Sequence, residues 1–459
     1  MSVEKRNPTR QKFPSSFWTA NTIELFERAA YYSMASFMVI YLHEVLGMRP
    51  TTATFLNGSI LWGLIYFLPI LSGTLADKFG YKRSLRVAFL MICLGYFIMG
   101  NIQRFWPGFL GATTARVADY TIPVVLGIIL IGMGGSVVKP CIAGTIQKTS
   151  GTRATLGFGI FYMVINIGSI SGRGVSYFIR TNLGIPAIFT YAAAIFALLG
   201  LAVVLFLYKE PEYVSDGKKD DQKVQKKTLG QAVLGIFIVL SNLKFVFFLI
   251  VVALFWVLYI QLYNLMPLFL RFIDPKAPME LYTLANPVMI VALQLAITRI
   301  VKRWSPVKSI ILGAGVTTAG MLLNILPPLF LSDLSQKISL AGLAVPIVGI
   351  FLVTSIASMA IGEMMASPRI YEYLGGIAPK GQEGLYLGYA NLPIALASIF
   401  GGPLGGQLFE KFISEPQKAG QAPNPVAMWL VIAALGILSM VGLAIYDRAV
   451  VKTKTRSGI

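Results

Sequence analysis

Long apolar runs, broken by short polar stretches, follow one another along nearly all of the 459 residues. A helix needs about 20 apolar residues to cross the ~30 Å hydrocarbon core of a bilayer, and these runs reach that length. They predict spanning helices rather than the shorter half-apolar helices of a water-soluble core. The expected spans are residues 20–43, 55–76, 84–103, 121–146, 157–180 and 186–208, then 243–272, 281–301, 307–331, 339–374, 383–411 and 427–447. The tenth is unusually long and is expected to carry a cytoplasmic extension beyond Pro368. Between the sixth and seventh lies one strongly polar stretch, Lys209 to Lys227, too short and too charged to hide another pair of spans. The pattern predicts an all-α membrane protein of 12 transmembrane helices: a segment 1–19, a six-helix bundle 20–208, a linker 209–242, a second bundle 243–447 and a tail 448–459.

Composition agrees, with 56% hydrophobic and 13% charged residues and a mean hydropathy of +0.70, outside the range of soluble domains. The net charge of +19 raises the question of nucleic acid. The basic residues sit in alternate loops, however, and favour one side by about three to one, as the positive-inside rule expects. No nucleic-acid partner is expected. Both termini and the linker are placed in the cytoplasm of a multi-pass cell-membrane protein, with anionic lipid facing the surplus charge. The basic stretch before the first span lacks a small-residue cleavage pattern, so no removable leader is expected. Cys93 and Cys141 both lie in apolar segments, which leaves no disulfide framework and no thiolate metal site. The run from Gly132 to Pro140 (GMGGSVVKP) lacks the ending of a phosphate loop, and His43 has no nucleophile nearby, so neither an enzyme nor a cofactor is expected.

Six ionisable residues lie deep in the predicted spans: Glu24, Glu27, Arg28, Lys139, Arg173 and Glu363. Each costs about 2.5–3.5 kcal/mol at a helix centre, so each needs a partner, a wet cavity or a function. Three acids and three bases suggest mutual pairing. Glu24, Glu27, Arg28, Tyr31 and Tyr32 fall at i, i+3, i+4, i+7 and i+8, on one face of the first span. A polar stripe on an apolar helix faces a cavity, and a guanidinium within it is suited to hold a carboxylate.

Two six-helix halves joined by a polar linker resemble the major facilitator superfamily, and Gly73, Asp77, Gly80, Lys82 and Arg83 resemble its conformational-switch loop. The pattern E-x-x-E-R-x-x-Y-Y on the first span resembles a signature of the proton-dependent oligopeptide transporter family, and FYMVINIGS (Phe161 to Ser169) resembles its second. Lys139-Pro140, Phe255-Trp256 with Gln261, Asn286-Pro287 and GEMMASP (Gly362 to Pro368) extend the likeness along nearly the whole chain. The resemblance implies proton-coupled symport of di- and tripeptides or peptide-like solutes by a monomer. Arg28 and Lys139 would hold the peptide carboxylate, and Glu363 would face its amino group. Tyr31, Tyr32, Tyr66, Asn166, Trp256 and Asn286 would wall the pocket, and Glu24, Glu27 or Glu363 would carry the coupling proton. The residues argue alike, since a zwitterion needs both charge signs facing one cavity.

The chain departs from the family at Ala35 and Ile260, where an arginine and an acid are usual, so an expected ion pair is missing as a whole. Ala29, Ser33 and Ala390 are further departures, and Arg173 stands where proline is more usual. Arg173 is expected to bond an acid such as Glu363 or freed carbonyls. The alternative makes it a third anion-binding charge, in a transporter of another organic anion or drug-like solute with weak or different proton coupling.

Overall fold

The computed structural model describes residues 13–105, 120–211, 230, 241–340, 343–377 and 389–451. Helix α1 runs over Ser15–Ala35 and, after a break at Ser36 and Phe37, continues over Met38–Val45. It is followed by α2, two segments Pro50–Phe67 and Pro69–Phe79 bent by 44°, with Pro69 opening the second. Then come α3 (Tyr81–Phe105), α4 (Thr121–Ser150), α5 (Ala154–Leu183) and α6 (Ile185–Leu207). The second half holds α7 (Leu243–Ile273), α8 (Met279–Val301), α9 (Pro306–Phe330), α10 (Ile347–Ile377), α11 (Tyr389–Lys418) and α12 (Pro425–Val450).

Nine of these are long and apolar enough to span a membrane, and bent α2 makes ten. Helices α1 and α5, which carry Glu24, Glu27, Arg28 and Arg173, are the other two long segments, in agreement with the expected twelve. Helix starts follow local chemistry. Asn242, Ser305 and Asn424 accept from the backbone N–H of Phe245 (3.2 Å), Lys308 (3.3 Å) and Ala427 (3.0 Å), satisfying donors that a first turn leaves free. Pro306 and Pro425 follow two of these caps, at the position where a missing N–H costs nothing.

Two expectations need correction. The tenth span does not begin at 339: Lys337–Leu340 (β1) and Leu343–Pro346 (β2) form an antiparallel hairpin, with Ile338 opposite Val345, before α10 starts at Ile347. The β-branched residues of this short run favour a pleated pair, and their apolar character had merged them with the helix. The seventh span is not continuous. Residues 261–264 form turns in place of regular helix, between Leu243–Ile260 and Leu265–Ile273. The predicted linker falls largely on residues 212–229 and 231–240, outside the described residues.

Helices α1–α6 pack mainly on one another, as do α7–α12, with α2 against α11 and α5 against α8 joining the two groups. The end of the helices carrying residues 46–49, 184 and 274–278 is called upper here, and the end carrying 80, 151–153 and 302–305 lower. Hydrogen bonds between the groups gather in the upper half. Asn57 Nδ2 donates to Asn264 Oδ1 (2.9 Å), Ser59 Oγ to the Ile399 carbonyl (2.7 Å) and Arg271 Nε to Glu44 Oε1 (2.9 Å). Arg49 pairs with Glu410 at 3.0 Å. Gly58 and Gly402 let α2 and α11 touch backbone to backbone: a Cβ on Gly58 would lie 2.4 Å from Gly402 Cα.

Candidate functional site

The charged stripe on α1 faces inward, with Glu24, Glu27, Arg28 and Tyr31 all buried. Helical spacing stacks Glu24 one turn below Arg28, and Arg28 Nε pairs with Glu24 Oε1 at 3.4 Å and more closely with Glu27 Oε2. Glu24 makes this ion pair but accepts no hydrogen bond among the described residues. The Arg28 guanidinium also lies 5.3 Å from the Tyr31 ring, within cation–π range.

Lys139 on α4 has no ion pair among the described residues, and its ammonium stands 6.0 Å from the Tyr66 ring. Glu363 on α10 accepts from Asn286 Nδ2 of α8 at 3.4 Å. Glu363 forms no ion pair among the described residues. The two cations Arg28 and Lys139 thus come from one group of helices and the anion Glu363 from the other. Of the expected mutual pairing, only the α1 triad forms.

The other expected residues divide. Tyr31 stands beside Arg28, Tyr32 beside Arg173 and Tyr66 beside Lys139, each ring within 6.0 Å of the cation. Asn286 serves Glu363, while Asn166 spends its amide on the Tyr162 carbonyl of its own helix (2.9 Å). Trp256 is buried against Phe255 and Tyr259, with ring centroids 5.2 and 5.3 Å away, and its indole N–H has no acceptor among the described residues. Trp62 had not been singled out, yet its ring lies 6.4, 5.5 and 5.1 Å from those of Tyr31, Tyr66 and Tyr263. It joins the aromatic wall of one group to that of the other. The available signals were the i, i+4 spacings of Trp62 with Tyr66 and of Tyr259 with Tyr263, each placing two aromatics on one helix face.

Arg173 does not pair with Glu363. It is completely buried and donates to Thr283 Oγ1 (3.0 Å), the Tyr263 hydroxyl (3.0 Å), the Ser169 carbonyl (3.3 Å) and the Ser169 hydroxyl. Of the acceptors expected for it, only a carbonyl appears.

The switch-loop residues lie at the lower end, away from these charges. Gly80, at φ +89°, makes the tight turn between α2 and α3, and Asp77 accepts from the Tyr81 hydroxyl at 2.9 Å. Glu210, just after α6, accepts from the first backbone N–H groups of α3, Lys82 at 2.7 Å and Tyr81 at 3.3 Å. A carboxylate there satisfies free donors and the helix dipole together. Lys82 enters this clamp through its backbone N–H, and a Cβ added at Gly73 would lie 3.6 Å from the Pro140 side chain.

Fold and charge placement together define a polytopic helical membrane protein of two helix groups, with charged residues of both signs within its spans. The chain belongs to the Major Facilitator Superfamily, whose family model matches residues 23–359. Among curated relatives, the dipeptide and tripeptide permease A of Citrobacter koseri is 28% identical over 231 residues, 48% of this chain and 42% of that protein. The permease A of Escherichia coli is 26% identical over 247 residues, 51% and 46% of the two chains. Permease B of Aliivibrio fischeri is 31% identical over 199 residues, 42% and 36%. The matched stretches thus span less than half the length of these relatives. Among solved structures, a mutant of the peptide transporter POT in complex with alafosfalin superposes with a TM-score of 0.71 at 21% identity, covering 96% of both chains. A POT family transporter in complex with 5-aminolevulinic acid gives 0.71 at 18% identity, covering 94% of this chain and 95% of that one. At such identities the likeness concerns the fold.

Proposed function

We propose that this chain is a proton-coupled symporter of di- and tripeptides or peptide-like solutes, working as a monomer by alternating access between its two bundles. The observation that carries the reading is the division of charge. Arg28 and Lys139 of the first bundle suit a peptide carboxylate, and Glu363 of the second suits its amino group. The names of the permease relatives and the ligands in the similar structures support the same substrate class.

Coupling is a competition for Arg28. Protonation of Glu24 or Glu27 removes a negative charge and frees Arg28 for the substrate carboxylate, and protonation of Glu363, which has no ion pair among the described residues, removes the negative charge of the second bundle. Two bundles rocking about this central site then expose it to each side in turn. The positive-inside rule puts the lower end, the linker and both termini in the cytoplasm of the cell membrane. With the inter-bundle bonds gathered at the upper end, the conformation is the inward-facing one. No chemical catalysis and no cofactor enter this scheme.

A second reading, transport of another organic anion with weak or different proton coupling, draws on the buried apolar Ala35 and Ile260. A thermal-shift screen of di- and tripeptides, free amino acids and dicarboxylates against the purified protein separates the two. Stabilisation by peptides that is lost in both Arg28→Ala and Glu363→Ala is expected. Stabilisation by dicarboxylates alone would replace the first reading with the second.

A further inference from the structure

We infer that Arg173 is the pin that closes the upper end, tying the bundles together through neutral hydroxyls, and that it sets how readily this end opens to solute. The inference rests on the alternating-access reading but not on the identity of the substrate. Arg173 sits on α5 of the first bundle and is completely buried. Its guanidinium reaches across to Thr283 on α8 and Tyr263 in the break of α7, both at 3.0 Å. Ser36, at the break of α1, meets the same Thr283 hydroxyl at 2.7 Å. Arg173 thus bonds α7 and α8 from α5, and the shared Thr283 hydroxyl adds α1, so the cluster joins two helices of each bundle.

The seam continues along the same face of α5. Seven residues on, Arg180 pairs with the fully buried Glu280 of α8 at 2.8 Å. Tyr263 lies in the break at 261–264, and Ser36 in the break of α1 bonds the Thr283 hydroxyl that Arg173 also uses. Ala35 and Ile260, the positions where the family pattern has an ion pair, are buried and apolar. Beside these apolar positions, and beside the Arg180–Glu280 ion pair, Arg173 ties the bundles through acceptors that carry no charge. Hydrogen bonds to a charged donor are stronger than neutral ones even so. Opening the upper end removes both acceptors together and leaves the guanidinium to be satisfied by water or by an anionic solute group. The ring of Tyr32, 4.5 Å from the guanidinium, connects the pin to the central site.

The test places a reporter thiol, Thr54→Cys, at a buried position of the α2–α11 seam outside this network. The native Cys141, buried inside the first bundle, serves as the control for general loosening. In purified protein, Arg173→Ala should raise the maleimide reaction rate of the reporter by about tenfold or more, with Cys141 unchanged, as expected for loss of charge-assisted bonds. Thr283→Val and Tyr263→Phe should each raise it by less, and adding Thr283→Val to Arg173→Ala should change nothing further. Arg173→Lys should restore part of the closure. An unchanged reporter rate in all single variants, or reporter and Cys141 rising together, would overturn the assignment. A protein that labels as expected yet binds no peptide refutes the substrate reading and leaves the pin standing.

Discussion

Arg28 and Arg173 are both buried arginines of the first bundle, yet they are held in opposite ways. Arg28 lies between two carboxylates on its own helix, whereas Arg173 is held by hydroxyls and a carbonyl, two of them from the opposite bundle. Carboxylates can be protonated, or displaced by another carboxylate, and Glu24, without a hydrogen bond, is the looser of the two. Hydroxyls can be lost only by moving the helices apart. The chemistry of the partner therefore separates a binding charge from a closing one, although both residues are arginines in one apolar bundle.

The comparison breaks most severely at Arg28. Arg28→Ala leaves two buried acids unpaired and should cost about 3–5 kcal/mol of stability, read as a fall in melting temperature with loss of peptide binding. Adding Glu24→Gln and Glu27→Gln should recover the melting temperature but not the binding. Recovery of both would remove Arg28 from the substrate site. Next in size, Gly402→Ala drives a methyl group into the backbone of Gly58 and Ser59. It should cost about 1–3 kcal/mol as overpacking, and faster labelling of an upper-end thiol should reveal the separation. The smallest effect is expected at the hydroxyls. Thr283→Val should lower stability by about 1 kcal/mol and leave peptide affinity in thermal-shift titration unchanged. An affinity loss as large as that of Arg28→Ala would merge the two arginine sites into one.

The spanning helices and the charged face of α1 could be read from sequence because a continuous apolar run and an i, i+3, i+4 stripe are local signals. The hairpin over Lys337–Pro346 was not separable from α10, since a short apolar β-branched run is ambiguous between strand and buried helix. The break at 261–264, by contrast, is marked in the sequence by Gln261, Asn264 and Pro267, whose ring and missing N–H oppose a helical bond to the Tyr263 carbonyl. Arg173 was visible as an anomaly, but its partners Thr283 and Tyr263 lie about a hundred residues away and look unremarkable in an apolar helix. Trp62 was hidden in the same way, since an aromatic in a spanning helix usually faces lipid or packing until its neighbours are known. Glu210 belonged to the polar stretch read as linker, where nothing marks one acid as the cap of α3.

The central claim is that Arg28 exchanges its protonatable carboxylates, Glu24 and Glu27, for the carboxylate of a peptide. Dipeptide uptake into proteoliposomes, measured with and without an inward proton gradient, tests it most directly. The account predicts uptake that is driven by the gradient in the native protein, while Glu24→Gln/Glu27→Gln transports at a rate the gradient no longer raises. Gradient-driven uptake that persists undiminished in that variant, or native uptake indifferent to the gradient, would contradict it.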